Sequence, residues 1–111
     1  MPIVRIDYEK NKISQEEIKK VAEAVQGFTA EVTEYDPKDI SVFASENQIT
    51  VNAAPIEIYV YATFPEASGE DMEAMLTKLR DLVTPFKEQN NITIPFNLSI
   101  AKMNWKFELE V

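Results

Sequence analysis

Residues 55–64 read Pro55-Ile56-Glu57-Ile58-Tyr59-Val60-Tyr61-Ala62-Thr63-Phe64. Ile56, Ile58, Val60, Ala62 and Phe64 alternate with Glu57, Tyr59, Tyr61 and Thr63, the period-two pattern of a strand with one face buried. The same Pro-Ile opening stands at Pro2-Ile3, where Val4, Ile6 and Tyr8 oppose Arg5 and Asp7. Each strand pattern is followed by a helical pattern and then a further strand. The chain therefore reads as one βαβ unit written twice.

In the first unit Ser14 and Glu17 have capping-box spacing, and Ile18, Val21, Ala22 and Val25 recur at helical intervals before Gly27, which is read as the stop. Glu16, Lys19, Lys20 and Glu23 form the exposed face. After the Asp36-Pro37 turn, Ile40, Val42 and Ala44 alternate with Ser41 and Phe43, a second strand made parallel to the first by a right-handed crossover. Ile49 to Val51 reads as a short returning strand. In the second unit Ser68 and Asp71 are positioned to cap a helix whose stripe is Met72, Met75, Leu76, Leu79 and Val83, with Pro85 closing it. Phe96, Leu98 and Ile100 then alternate with Asn97, Ser99 and Ala101. The tetrad Ile40-Ser41-Val42-Phe43 has its echo in Leu98-Ser99-Ile100-Ala101.

From Trp105 to Val111 apolar and charged residues alternate without a break, the pattern of an edge strand open to pairing with another chain. The expectation is a single α+β domain over residues 1–111, with pseudo-repeats 2–52 and 55–104 and an edge strand 105–111. Its core is a four-stranded mixed sheet with two helices on one face, plus short extra strands. The uncovered face holds Arg5, Asp7, Ser41, Phe43, Glu57, Tyr59, Tyr61, Thr63, Asn97 and Ser99. A half-apolar face of that kind on a small domain points to burial in an oligomer.

Composition narrows the chemistry. The chain has 111 residues, no cysteine, no histidine and only two glycines, so disulfides, thiolate nucleophiles, His-based triads, the common zinc sites and Gly-rich phosphate loops are all excluded. A formal charge of −8 provides no basic field for nucleic acid or an anionic membrane. No apolar run is long enough to span a bilayer, and the start goes directly into a strand pattern, so no membrane partner and a cytoplasmic location are expected. Acidic residues such as Glu16, Glu17, Glu66, Glu70, Asp71 and Glu73 read as complements to helix dipoles and not as metal ligands. Met72 and Met75 read as core.

Two tandem βαβ units behind a Met-Pro-Ile start resemble the tautomerase superfamily over essentially the whole chain, in particular its long, trimeric members related to macrophage migration inhibitory factor. The resemblance implies a cofactor-independent isomerase. In that family the initiator methionine is removed and the freed proline amine, here Pro2, acts as general base in moving a proton between carbon and oxygen of an enol. The physical chemistry is sound, because an α-amine titrates near ~8 and an apolar pocket lowers it further, while a base near neutrality balances availability against strength. If Met1 is retained, the nitrogen is an amide and cannot serve.

The resemblance also implies a cation for the acidic group of a small-molecule substrate. Aligned on the Pro-Ile start, Lys12 takes the place of an arginine in the loop after the first strand, keeping the charge without the bidentate fork, and the second arginine position falls near Phe43. Phe43 and Trp105 are expected to help close an apolar site in a homotrimer, and a neighbouring subunit could supply one of these residues. Plainer readings stand beside each of these. Lys12 is also what a solvated loop charge looks like, and Tyr59, Tyr61, Phe43 and Trp105 are also what an oligomer interface looks like. The alternative function is a non-catalytic module of the same fold, or a ferredoxin-like domain that binds a small ligand or another protein.

Overall fold

The computed structural model describes residues 2–63, 72–103, 106 and 108–111. Its elements run β1 (Ile3–Glu9), α1 (Gln15–Thr33), a 3-10 turn (Pro37–Asp39), β2 (Ser41–Asn47), β3 (Ile56–Ala62), α2 (Met72–Gln89) and β4 (Phe96–Lys102). The strands form one sheet in the order β2-β1-β3-β4. β1 with β2 and β3 with β4 are parallel, as βαβ crossovers require, and the two units meet through the antiparallel pair β1–β3. The fold is thus the expected α+β arrangement of a four-stranded mixed sheet and two helices.

Alternation decides which face is covered. Val4, Ile6 and Tyr8 of β1 and Ile56, Ile58, Val60 and Ala62 of β3 are buried, most of them completely, and the helices supply Ile18, Val21, Val25, Phe28, Leu79 and Val83 to the same core. A second small cluster joins Ala62 and Met75, with Val32, Met72 and Ile100 packed against it. It lies at the end of the sheet where β3 finishes and α2 begins.

The capping box at the start of α1 is formed as read. Glu17 N donates to Ser14 Oγ at 3.1 Å, and Ser14 N donates to Glu17 Oε1 at 3.2 Å. Removing the hydroxyl in Ser14→Ala is expected to cost about 1 kcal/mol of unfolding free energy in urea titration, with the slope unchanged.

Three expectations about local elements are corrected. Gly27 does not stop α1, which continues to Thr33 and ends on Glu34 in the left-handed region at φ 63°. Gly27 faces solvent with nothing within 4 Å of an added Cβ, so it costs only its backbone freedom, roughly 1 kcal/mol against alanine. The six residues after it include buried Phe28, Thr29 and Thr33. Both threonine hydroxyls donate to carbonyls one turn back, Thr29 Oγ1 to Val25 O at 2.8 Å and Thr33 Oγ1 to Thr29 O at 2.6 Å. Burial with the polar atoms satisfied outweighs the glycine.

Pro85 likewise sits inside α2, which runs to Gln89. The stop is Asn91, left-handed at φ 55°, with Ile92 N donating to Lys87 O at 2.9 Å across it, a Schellman closure that also buries Ile92. Ile49 and Val51 form no strand; they lie in bends, 91% and 82% exposed, because neither sheet edge reaches them. In the C-terminal tail residues 106 and 108–111 form no strand within the chain, and Leu109 and Val111 are exposed. Alternation describes a strand only when a partner edge is present to take its hydrogen bonds. Trp105, Phe107, Phe64, Ser68 and Asp71, named above, lie outside the described residues.

The two Pro-Ile openings are also out of phase. Pro2 is fully buried and continues the alternation of Val4 and Ile6, whereas Pro55 is half-buried and shares the alternation of Glu57 and Tyr59. A one-residue offset exchanges the faces of a strand. The prolines that look alike in sequence therefore point to opposite sides of the sheet.

Candidate functional site

Pro2 enters the sheet at the end where β2 starts and β3 and β4 finish. Ile3 is in register with Ser41 on one side and Tyr61 on the other, so one step further back Pro2 lies beside Ile40 and Ala62. Its side chain is less than 2% exposed. Ile40, also buried, is held by the Gln26 amide, whose Nε2 donates to Ile40 O at 3.3 Å and to Pro37 O at 3.0 Å. Ala62 O accepts from Met103 N at 3.0 Å, and Thr63 Oγ1 donates to Met103 O. The surroundings of Pro2 are thus an apolar strand end tied down by hydrogen bonds to its backbone carbonyls.

Lys12 is at the other end of β1. It is exposed in the turn after Glu9, with Asn11 left-handed at φ 69° and Lys12 N donating to Glu9 O at 3.3 Å. An open depression of about 470 Å³ lies there, lined by Lys10, Lys12, Ser14, Glu17 and Glu46 among others. At ~3.3 Å per strand residue the seven residues of β1 separate this loop from Pro2 by roughly 23 Å. Within one chain Pro2 and Lys12 are not brought together. The Pro55 end of β3 is Lys12's neighbour instead, with Glu9 N donating to Pro55 O at 2.8 Å.

Phe43 is on the uncovered face and 55% exposed, in register with Arg5, which in turn is opposite Tyr59. It faces away from the helices and from the buried ring of Pro2. Around it the uncovered face carries a short polar network. Arg5 Nη2 lies 3.5 Å from Asp7 Oδ2, and Asn97 Nδ2 donates to Glu57 Oε1 at 2.9 Å. Tyr59 and Tyr61 stack with centroids 6.1 Å apart and planes within 7°. Desolvation, then the nearby Glu57 and Asp7 carboxylates and Tyr61, push the Tyr59 phenol above its usual value, with Arg5 pulling the other way. At neutral pH Tyr59 is therefore a hydrogen-bond donor and not a base.

A cation passed over in the sequence lies on Pro2's side of the sheet. Lys102, the last residue of β4, is in register with Ala62. No local motif marks it, because its place depends on how β4 registers against β3.

No family model matches the sequence, and no curated protein matches it significantly. Solved structures do. A malonate semialdehyde decarboxylase superposes with a TM-score of 0.66 at 12% identity, covering 98% of this chain and 92% of that one. A macrophage migration inhibitory factor-like protein from Entamoeba histolytica gives 0.59 at 15% identity, over 96% and 95%. A fused 4-OT solved as an asymmetric trimer gives 0.64 at 13% identity, over 97% and 92%. At these identities the likeness speaks for the backbone: the chain has the fold of the tautomerase superfamily.

Proposed function

We propose that the protein is a cofactor-independent tautomerase-like isomerase in which Pro2, freed by removal of Met1, is the general base for enol/keto proton transfer on a small acidic substrate. The observation that carries this reading is the complete burial of Pro2 at an apolar strand end. An amine held there loses hydration mainly in its charged form, so its neutral, basic form is favoured near pH 7. Proline also restricts its own φ and so limits the wobble of the nitrogen. The test is the intact mass of the natively expressed protein, followed by an enol to keto assay on an aromatic enolpyruvate with a chain blocked ahead of Pro2 as control. A retained Met1, or a blocked chain as active as the free one, removes Pro2 from the mechanism.

The active form on this reading is a cytoplasmic homotrimer, with the half-apolar sheet face buried between subunits and Trp105 and Phe43 near the subunit boundary. The trimeric state of the fused 4-OT of the same fold supports the assembly. Phe43→Asp puts a charge on that face, midway along the edge strand β2, and is expected to shift the sedimentation profile from trimer to monomer. An unchanged trimer would place the interface elsewhere.

The separation of Pro2 from Lys12 favours a second reading, a non-catalytic module that keeps the fold and the assembly. It predicts ligand binding without turnover, unaffected by blocking Pro2.

A further inference from the structure

Strand register sets the uncovered face out in rows. The row nearest Pro2 has Ile3 beside Tyr61, the next has Arg5 between Phe43 and Tyr59, and the third has Asp7 beside Glu57. Successive rows are two residues apart, about 7 Å along the strands. The face is therefore apolar at one end and acidic at the other, with a guanidinium between. By the alternation of β1, Glu9 adds a further carboxylate beyond the acidic row.

The charges on this face are only partly answered within the chain. Asp7 and Glu57 are direct partners in the antiparallel β1–β3 pair, a placement in which like charges repel. Glu57 is fixed there, because its Oε1 accepts from Ala54 N at 3.2 Å and from Asn97 Nδ2 at 2.9 Å, while its Oε2 has no partner among the described residues. Arg5 is the one cation of the face among the described residues. Its side chain is 59% exposed and makes a single long contact, Nη2 to Asp7 Oδ2 at 3.5 Å, with a residue two positions along the same strand. Most of its five N–H donors have no protein partner.

This arrangement of charge fits a second copy of the chain. A cation in one row and carboxylates in the next are complementary to the same face of another copy placed one row out of step. A wholly basic or wholly acidic partner would instead set a like charge against one of the two rows. The chain carries −8 overall, so copies repel at a distance, and the carboxylates brought together at a contact need a cation inside it. Arg5 supplies that cation. Exposed Phe43 and the stacked Tyr59 and Tyr61 supply apolar area around it.

We infer that Arg5 sets the register of the subunit interface by reaching across it to Asp7 and Glu57 of the partner subunit. This rests on the reading that the uncovered face is buried between subunits, and deepens it by naming the contact that aligns them. Each copy then gives one guanidinium and receives one at its acidic row, as a closed ring of identical contacts requires.

The test is sedimentation equilibrium at neutral pH of wild type, Arg5→Lys, Arg5→Gln, Arg5→Glu and the double variant Arg5→Glu/Asp7→Lys, with urea unfolding as the check on folding. Arg5→Glu sets like charges against the acidic row and is expected to weaken the association constant by roughly 100-fold or more. Arg5→Lys should stay within about tenfold of wild type, and Arg5→Gln should fall between Lys and Glu. The double variant reverses the pair and should regain about tenfold or more over Arg5→Glu. The Arg5 series decides the matter even where the double variant unfolds, since the Arg5 side chain is largely exposed and its replacement leaves the core untouched. Association as tight in Arg5→Glu as in wild type overturns the inference, and so does a folded double variant no tighter than Arg5→Glu. Failure of the interface reading looks different: wild type is then a monomer at every concentration, or Phe43→Asp leaves the trimer intact. A trimer that Phe43→Asp dissociates and the Arg5 series does not would keep the interface and remove Arg5 from it.

Discussion

Blocking the Pro2 nitrogen, by one extra residue ahead of it that prevents processing, is expected to lower kcat for the enol to keto reaction by about 10² to 10⁴-fold, the usual contribution of a positioned general base. The loss follows from the chemistry of the atom. As a free secondary amine the Pro2 nitrogen has a lone pair to accept a proton. As an amide nitrogen its lone pair is delocalised into the carbonyl. Pro2→Ala is the softer variant, because it keeps an amine and loses the ring, and it should fall between blocked and wild-type protein. Thermal denaturation of both variants separates chemistry from folding, since Pro2 is also a buried residue at the first strand. A blocked protein that melts like wild type and has lost its turnover supports the mechanism. One that melts like wild type and turns over equally well excludes it.

The second large effect is on stability. Ile58→Ala should destabilise the chain by about 2–5 kcal/mol, the range for emptying a fully buried aliphatic site. Ile58 is 0% exposed in β3, an interior strand, and its register partner Ile6 in β1 is also 0% exposed. This pair lies on the antiparallel seam that joins the two βαβ units, and α1 and α2 close over it. Side chains there cannot collapse into the gap without shifting a strand that is hydrogen-bonded on both sides. Thermal unfolding should fall by roughly 10–25 °C, measured at several protein concentrations because self-association adds its own stabilisation. A drop of only a degree or two would mean that the core relaxes at this seam far more than its packing implies.

Strand identity and pairing sense were legible because they follow from local chemistry. Val4, Ile6 and Tyr8 in the first strand and Ile56 to Ala62 in the third declare their buried face by alternation, and the helices between consecutive strands impose parallel pairs. The cap at Ser14 was legible for the same reason, since both partners lie within one turn. Helix ends were less so. Gly27 and Pro85 are local stop signals worth a few kcal/mol at most, and each was overridden by apolar residues beyond it, Phe28 after Gly27 and Phe86 and Ile92 after Pro85. Ile49 and Val51 show the converse, a strand pattern that neither edge strand of the sheet, β2 or β4, extends to.

The candidate site divides along the same line. The sequence alone determined that any acid or base must come from something other than histidine or cysteine, and that Pro2 opens the first strand. Tertiary structure decided where Pro2 faces, because a one-residue phase difference buries it and turns Pro55 to the other side. It also separated Lys12 from Pro2 by the length of β1 and brought Lys102 to Pro2's end of the sheet. Periodicity along a chain is a property of neighbours and can be read from them. Register between strands arises from the packing of whole faces, and it sets which distant residues share a site.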